Sequence, residues 1–526
     1  MNEKSIIVAP QAEPAEVALN ILKSGGNAFD AAIAGALVQG VVDPHRSGIG
    51  GFGAAMIFSA KDKKAYCVNF FGRAGSKADP NMWHDLLEGA APDGFGYILK
   101  GKENDVGYKS ITIPGTVAGF GEIHKRFGRM DWKDLFNGAI DIAREGFIVS
   151  PGMANFWRRP GLFGRVSTKD RLGYTSSGKK IWLPGGEPYE AGEKPKQSDL
   201  ANTYKWLAEA GPDDFYKGDL AKQIIKDFNE NEALITESDL KNYKCDWIKP
   251  LKGNFSGNEI YSTPLPGGGL ALLQTLRMVE LFNILSYPLN SSKYVNSLAR
   301  IFSSIQKDRM SFHSDPKFNP ADIKKLLSDE YLKSIYKDTD NKNSLEPKDT
   351  TVITVSDREG NAITLCHSLG YGSGVYTKNL GFMYNNCMSG FDPIPNNPNS
   401  IAPGKARSTA VAQTLICKDG NPKLILGSPG GSHITAGLAQ AIINYLHFKM
   451  DLQDAVCRPR FDAYRNILLL ESRMPYTLEN ELSDNWEILR SPSPFGMVGR
   501  IYAIAFTESG PKPGYDPGEA ATAIEY

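Results

Sequence analysis

The sequence predicts a layered α+β fold, on three observations. Strand-like runs come in adjacent pairs joined by short polar turns, helical patterns stand before and after them, and the strand–helix–strand alternation of a doubly wound parallel sheet is missing.

The elements follow in chain order. Pro14–Lys23 has a helical pattern that stops at Gly25-Gly26, and Asn27 then stands as the N-cap of a second helix with Asp30 in its first turn. Phe29, Ala32, Ile33, Ala36 and Leu37 recur at the spacing of one apolar helix face. The glycine-rich loop Ser47–Gly53 leads to expected strands at Ala54–Phe58 and Ala65–Phe70. From about residue 115 to 350 the pattern is mainly helical, with amphipathic stretches at Leu220–Phe228 and Leu270–Phe282. The charged, asparagine-rich stretch Lys337–Lys348 reads as an exposed linker. Beyond it, Thr351–Val355 and Ala362–His367 read as strands joined by the polar turn Asp357–Asn361. Thr409–Cys417 and Lys423–Leu426 read as a second hairpin, and Ile434, Leu438, Ala441, Ile442 and Tyr445 mark a helix packed by one face.

Composition narrows the function classes. In 526 residues, 59 Lys plus Arg balance 59 Asp plus Glu, so no net charge draws the chain to nucleic acid or an anionic membrane. No stretch approaches the ~18 apolar residues of a membrane-spanning helix. The start, Met1–Val8, lacks the regions of a secretion signal, so a cytoplasmic enzyme is expected. The 6 cysteines are far apart and the 7 histidines form no close pair, so neither a metal centre nor another cofactor is expected.

Three glycine-rich segments invite a phosphate-loop reading. Gly48–Gly53 matches G-x-G-x-x-G formally, but Asp43-Pro44 precedes it and a strand follows, the reverse of a dinucleotide site. It reads as a tight turn that brings two chain segments together. Thr263–Gly269 lacks the Gly-Lys-Ser/Thr ending of a phosphate loop and also reads as a turn. Gly427-Ser-Pro-Gly-Gly-Ser432 follows a strand and opens a helix, so it is either a structural turn or a set of backbone N–H donors for an anion or oxyanion. Asp349-Thr-Thr-Val-Ile-Thr354 says little alone, since threonine is common in strands. Its surroundings make it specific: linker, threonine at a strand start, hairpin, the loop Ser368–Gly374, then Tyr384-Asn-Asn-Cys-Met388 and the Gly-Ser-Pro-Gly-Gly-Ser turn.

That ordered series resembles the gamma-glutamyltranspeptidase family of N-terminal nucleophile hydrolases, and the resemblance covers almost the whole chain. It includes Gly25–Ile33, Ser47–Gly51, Pro114–Phe120, Phe215–Gly218, Leu234–Leu240, Asp308-Arg309 with Asp315-Pro316, Gly427–Ser432 and Gly518–Ala521. The resemblance implies a four-layered αββα sandwich with an additional mainly helical portion, made as a precursor that cuts itself. Residues 1–349 would form the large-subunit region and residues 350–526 the small-subunit region, the two fragments staying associated and open to further assembly. By residue matching, cleavage falls between Asp349 and Thr350, and Thr350 becomes the nucleophile. A free α-amino group, with a pKa near ~7.7–8.0, can take the hydroxyl proton, so no histidine or aspartate partner is needed. Ser368 takes the place of the hydroxyl that bonds the nucleophile, and Gly430 and Gly431 that of the oxyanion-binding amides.

The departures from the family pattern concern the substrate. The histidine of the T-T-H motif is Val352, and the arginine that grips a substrate α-carboxylate falls at Phe71, two places from Arg73. The residues that hold a glutamyl head group fall at Gly370, Cys387 and Gly390, and of a hydroxyl pair only Thr409 is kept, beside Ala410. The lid stretch Asp392–Lys405 is short and has no tyrosine. The leading expectation is therefore a self-processing gamma-glutamyltransferase-like amidohydrolase, acting on a small-molecule amide through an acyl-enzyme, whose acyl group is not a standard glutamyl. Two alternatives remain: a true gamma-glutamyl hydrolase or transferase of glutathione-like substrates, reading its head group through Arg73, Arg407 or Arg46, and an unprocessed, inactive homologue with a binding or structural role. Intact-mass measurement of the purified protein is expected to find the fragments Met1–Asp349 and Thr350–Tyr526. Thr350→Ala is expected to stay one chain without turnover; a full-length wild-type mass after long incubation would contradict the cleavage.

Overall fold

The computed structural model describes residues 4–91, 96–161, 164–336, 350–496, 498–518 and 520–526. Lys337–Lys348 and Asp349 therefore lie outside the described residues. Two antiparallel sheets stack face to face. The seven-stranded sheet runs in the order Thr522–Glu525, Ile6–Ala9, Thr351–Ser356, Ala362–Ser368, Phe52–Ser59, Lys64–Phe70, Asp246–Ile248. The six-stranded sheet runs Gly510–Tyr515, Tyr502–Thr507, Asn421–Gly427, Thr414–Lys418, Asn258–Ser262, Leu251–Phe255.

Period-two alternation sorts the side chains into layers. Along Thr351–Ser356, Val352 joins Ile6, Met56, Cys366, Leu415 and Ile504 in the core between the sheets. Ile353 and Val355 point the other way, joining Ile7, Ile57 and Leu365 under the helices Ala12–Lys23 and Ala28–Val42. The second sheet buries Ile260, Leu424 and Ala503 against Gly269–Leu281 and Ile434–Leu446. The result is the four-layered αββα sandwich, with the region between Thr116 and Leu240 adding further helices on the side of the first sheet.

The second helix starts as its sequence indicates. Asn27 Oδ1 accepts from the backbone N–H of Phe29 (2.9 Å) and Asp30 (3.1 Å), and Asp30 Oδ2 accepts from Asn27 N (3.0 Å), a reciprocal capping box. The one-face reading of this helix is corrected: every residue from Ala28 to Val42 is buried. Its abundance of alanine and glycine is the reason, because small residues let it lie between sheet and neighbouring helices. A Cβ at Gly35 would stand 2.4 Å from Ile353 Cδ1, on the strand that begins beside Thr350.

Strand edges shift from expectation. The hairpin expected from Thr409 pairs only from Thr414, and Thr409–Gln413 runs to the site outside the ladder, with Thr409 N donating to Pro266 O (2.9 Å) and Val411 O accepting from Gly268 N (2.8 Å). Leu251–Phe255, Asn258–Ser262, Ile6–Ala9 and the strands after Arg460 complete the sheets without having stood out in the sequence. They are short, and several gain their place from neighbours distant in the chain.

Candidate active site

The site forms where the two central strands of the first sheet begin and end. In their antiparallel register Thr351 faces His367, so Thr350 arrives next to Ser368. The two hydroxyls are 3.2 Å apart, both side chains buried. Ser368 Oγ also accepts from Gly370 N at 3.0 Å. The alternation that sends Thr350 and Ser368 between the sheets sends His367 to the opposite face, where its Nε2 meets Gln39 Oε1 at 3.0 Å. Burial lowers the His367 pKa to about 3, so it is a neutral core histidine. Val352, at the position where the family motif carries histidine, lies in the apolar core between the sheets.

Thr350 and Ser368 line a small cleft, with a cavity of about 30 Å³, that also exposes Gly370, Asn386, Arg407, Thr409 and Gly431. That is room for about one or two water molecules. Among the described residues that line it there is no histidine and no acid. Gly430 and Gly431 both take positive φ, +131° and +57°, in a turn continued by a short 3₁₀ segment and the helix Ile434–Leu446. The turn is held from outside: His433 N donates to Gly430 O (3.1 Å), and His433 Nδ1 lies 2.7 Å from Asp462 Oδ2.

The structure gathers only part of the expected substrate shell. Gly370 and Thr409 line the cleft. Gly390 stands behind it, and a Cβ there would lie 2.6 Å from Arg407 Cδ and 2.7 Å from Arg407 Nη1. The absent side chain thus leaves room for Arg407, whose guanidinium carbon sits 5.0 Å from the Phe52 ring centroid. Phe71 and Cys387 are in the sandwich core. Arg73 pairs with Asp246, which Lys317 Nζ also reaches at 3.1 Å, and it does not line the cleft. Arg46 is buried 3.5 Å from Asp43 Oδ2, also away from the cleft.

Behind the cleft runs a polar support that sequence reasoning did not single out. Asn386 Oδ1 accepts from Tyr371 N (2.9 Å), and its Nδ2 donates to Asp105 O (2.9 Å). Asp105 Oδ2 lies 2.8 Å from Arg171 Nη2, with Arg165 3.7 Å from the other carboxylate oxygen. Burial alone pushes the Asp105 carboxyl up, but Arg171, Arg165 and the Val166 N–H outweigh it and hold the group below its ordinary range. Next door Asn385 ties three segments together, accepting from Thr112 Oγ1 (2.8 Å) and donating to Gly50 O and Thr112 O (3.0 Å each). Gly50 itself admits no Cβ, which would stand 2.3 Å from Met383 O. The glycine-rich loop is therefore the close-approach turn its sequence suggests. The Asn385-Asn386 pair in a glycine-rich setting was the visible signal; Asp105 and Arg171 carried none.

The lid stretch is short and bound to itself. Asn397 Nδ2 donates to Asp392 Oδ2 (2.8 Å), and Lys405 Nζ donates to Pro398 O (2.8 Å) and Ser400 O (2.9 Å). Among the described residues no group of three or more His, Cys, Asp or Glu is placed to hold a metal ion, and no helix is long and apolar enough to cross a membrane.

Residues 14–526 match the model of the gamma-glutamyltranspeptidase family. The chain belongs to that family. Among its relatives is a glutathione hydrolase proenzyme of Pseudomonas aeruginosa, 32% identical over 480 residues that cover 86% of this chain and 82% of that protein. Another is the acylase ACY 1 proenzyme of Pseudomonas sp. (strain V22), 31% identical over 513 residues, 93% of this chain and 88% of the relative. A cephalosporin acylase from Bacillus halodurans shares the fold, with a TM-score of 0.86 at 23% identity over 99% of this chain and 96% of that one. The protein is thus a gamma-glutamyltransferase-like amidohydrolase and acyltransferase.

Asp105→Ala is expected to cost about 3–5 kcal/mol, because it strands two buried arginines. Denaturant unfolding would measure the loss, and a shift under about 1 kcal/mol would contradict the role of this support. The depressed carboxyl stabilises fully above the unfolded-state pKa of about 3.9, and that stability is lost as pH falls through the lower folded value. Acidification should therefore destabilise the wild type more than the variant.

Proposed function

We propose that Thr350 is the nucleophile, that the chain is cut before it into residues 1–349 and 350–526, and that Ser368, Gly430 and Gly431 complete the catalytic group. The observation that carries this reading is the 3.2 Å contact of Thr350 Oγ1 with Ser368 Oγ in a buried cleft lined by neither histidine nor acid among the described residues. In the precursor, Thr350 Oγ attacks the Asp349 carbonyl carbon, the peptide C–N bond breaks, and an ester forms with a free Thr350 amine. Water hydrolyses the ester, leaving the Asp349 carboxylate and the Thr350 hydroxyl. In turnover the α-amino group takes the hydroxyl proton as Oγ attacks the substrate amide. The N–H groups of Gly430 and Gly431 receive the oxyanion, the proton passes to the leaving amine, and water or a second amine releases the acyl group.

The acyl group is read by what lines the cleft. Arg407 offers a buried cation, Asn386 and Thr409 are polar, and no lining acid among the described residues is available to an α-ammonium group. The replacements at Phe71, Gly370, Cys387 and Gly390 predict a pocket for an uncharged or small acyl group; Arg407 in the lining runs against the uncharged part of that expectation. A short acyl chain ending in a carboxylate matches the charge of this lining, whereas a glutamyl head group brings an ammonium ion that is costly to desolvate without a partner. The relative named glutathione hydrolase favours the glutamyl alternative, and substrate comparison separates the two.

The kcat/KM for glutaryl 4-nitroanilide is expected to exceed that for gamma-glutamyl 4-nitroanilide by roughly tenfold or more. Arg407→Met should remove the advantage of the glutaryl group over a neutral butyryl one. A tenfold preference for the gamma-glutamyl substrate would replace this reading with the glutamyl alternative.

Gly431→Ala puts a Cβ on a residue at φ +57° and should displace the oxyanion donors, lowering kcat by ~10²–10³ with binding of a substrate analogue less affected. Wild-type kcat in a folded, processed variant would refute the donor assignment.

A further inference from the structure

The two amides of the oxyanion turn belong to successive peptide groups, Pro429–Gly430 and Gly430–Gly431, both of them trans. A trans peptide is planar, with its C=O and N–H pointing in opposite directions. Whatever binds the carbonyl of such a group therefore aims its N–H. Both carbonyls are bound here. Pro429 O accepts from Ser428 Oγ (2.7 Å) and from Arg500 N (3.2 Å), and Gly430 O accepts from His433 N (3.1 Å). The N–H groups opposite them are left open: among the described residues neither Gly430 N nor Gly431 N donates a hydrogen bond within the fold. Gly431 lines the nucleophile cleft with Thr350.

Two consecutive glycines at positive φ would by themselves be the most pliable stretch of the site, so the restraint has to come from their neighbours. Those neighbours are themselves fixed. His433 is fully buried, and its Nδ1 donates to Asp462 Oδ2 (2.7 Å), while the other carboxylate oxygen accepts from Ala463 N (2.7 Å). Asp462 stands on the strand Phe461–Tyr464, paired with Ile467–Leu470 in a small third sheet, so the imidazole ties the turn to a part of the fold outside the sandwich. Gly499 closes on the same turn. A Cβ at Gly430 would stand 2.9 Å from Gly499 Cα, and one at Gly499 would stand 2.9 Å from Ser428 Oγ. The two peptide planes thus have little room to rotate.

We propose that Ser428, His433 and Asp462 are positioning residues that aim the two N–H groups at the oxyanion. Ser428 does so by holding the Pro429 carbonyl. The His433–Asp462 pair does so by fixing the backbone N–H that holds the Gly430 carbonyl. All three act through the turn and take no part in the proton transfers; their contribution is a donor pair already oriented before charge develops. The inference rests on the reading of Gly430 and Gly431 as the oxyanion donors.

The test is steady-state kinetics of folded, processed variants, with whichever of the two 4-nitroanilides the wild type turns over faster. His433→Leu and Ser428→Ala are each expected to lower kcat by ~10–10², while KM moves less than about threefold, the mark of an interaction made in the transition state. His433→Asn, whose side-chain amide can donate to Asp462 from the place of Nδ1, is expected to recover most of the loss. A histidine that served stability alone would leave kcat per folded molecule unchanged. Wild-type kcat in either His433→Leu or Ser428→Ala, a loss carried by KM, or a His433→Asn variant as impaired as His433→Leu would overturn the proposal. Should His433→Leu fail to fold, Ser428→Ala, which deletes only one buried hydroxyl, decides by the same criteria. Gly431→Ala separates this proposal from the reading beneath it. Wild-type kcat there removes the donors themselves, whereas an impaired Gly431→Ala beside fully active His433→Leu and Ser428→Ala removes only the positioning.

Discussion

Antiparallel pairing of Thr351–Ser356 with Ala362–Ser368 is the constraint on which the site depends. With Thr351 opposite His367, one residue before the paired stretch meets one residue after, and two hydroxyls face each other in the gap between the sheets. A slip by one residue would turn Thr350 toward the helices and bring the His367 side into the sandwich. The register is held by its neighbours on both sides, Ile6–Ala9 and Phe52–Ser59, and by apolar packing above and below. Chemistry is thus placed by the most over-determined part of the molecule.

Around that rigid pair the surroundings divide by stiffness and by charge. The cleft wall is made of loop, but its loops are pinned by side-chain amides: Asn386 to the Tyr371 backbone and Asp105, Asn385 to Thr112 and Gly50. Asp105 is itself locked between buried arginines. A loop so restrained keeps its geometry as a strand would, while leaving side-chain positions open to change. The exchange at residue 390 illustrates this. At Gly390 the space a side chain would fill is taken by Arg407 from another segment.

Much of the frame was legible because it rests on local rules. The capping residues Asn27 and Asp30, the turn at Asp357–Asn361 and the strand–turn–helix at Gly427–Ser432 each declare themselves within a few residues. The meeting of Thr350 and Ser368 was legible through the ordered motifs around them. What stayed hidden depends on pairing across long separations. Ile6–Ala9 and Thr522–Glu525 become strands only by lying together at one side of a sheet, and Arg407 becomes a pocket residue only because Gly390 is empty. Arg73 shows the opposite failure, since proximity in sequence to Phe71 suggested a role that its pairing with Asp246 takes away.

The strand order of the first sheet has a consequence for a chain cut before Thr350. Along it, Thr522–Glu525, Thr351–Ser356 and Ala362–Ser368 come from the C-terminal piece, while Ile6–Ala9, wedged among them, and Phe52–Ser59 come from the N-terminal one. The pieces are interleaved like laced fingers, and each of the two stacked sheets, with the core between them, is built from both. They cannot part without melting the whole, so nicking leaves the native assembly intact. Once melted, however, reassembly becomes a meeting of two molecules in place of the closing of one chain. Folding of the uncut precursor is first order; recovery of the cut enzyme would depend on concentration, which makes processing a one-way commitment to the folded state.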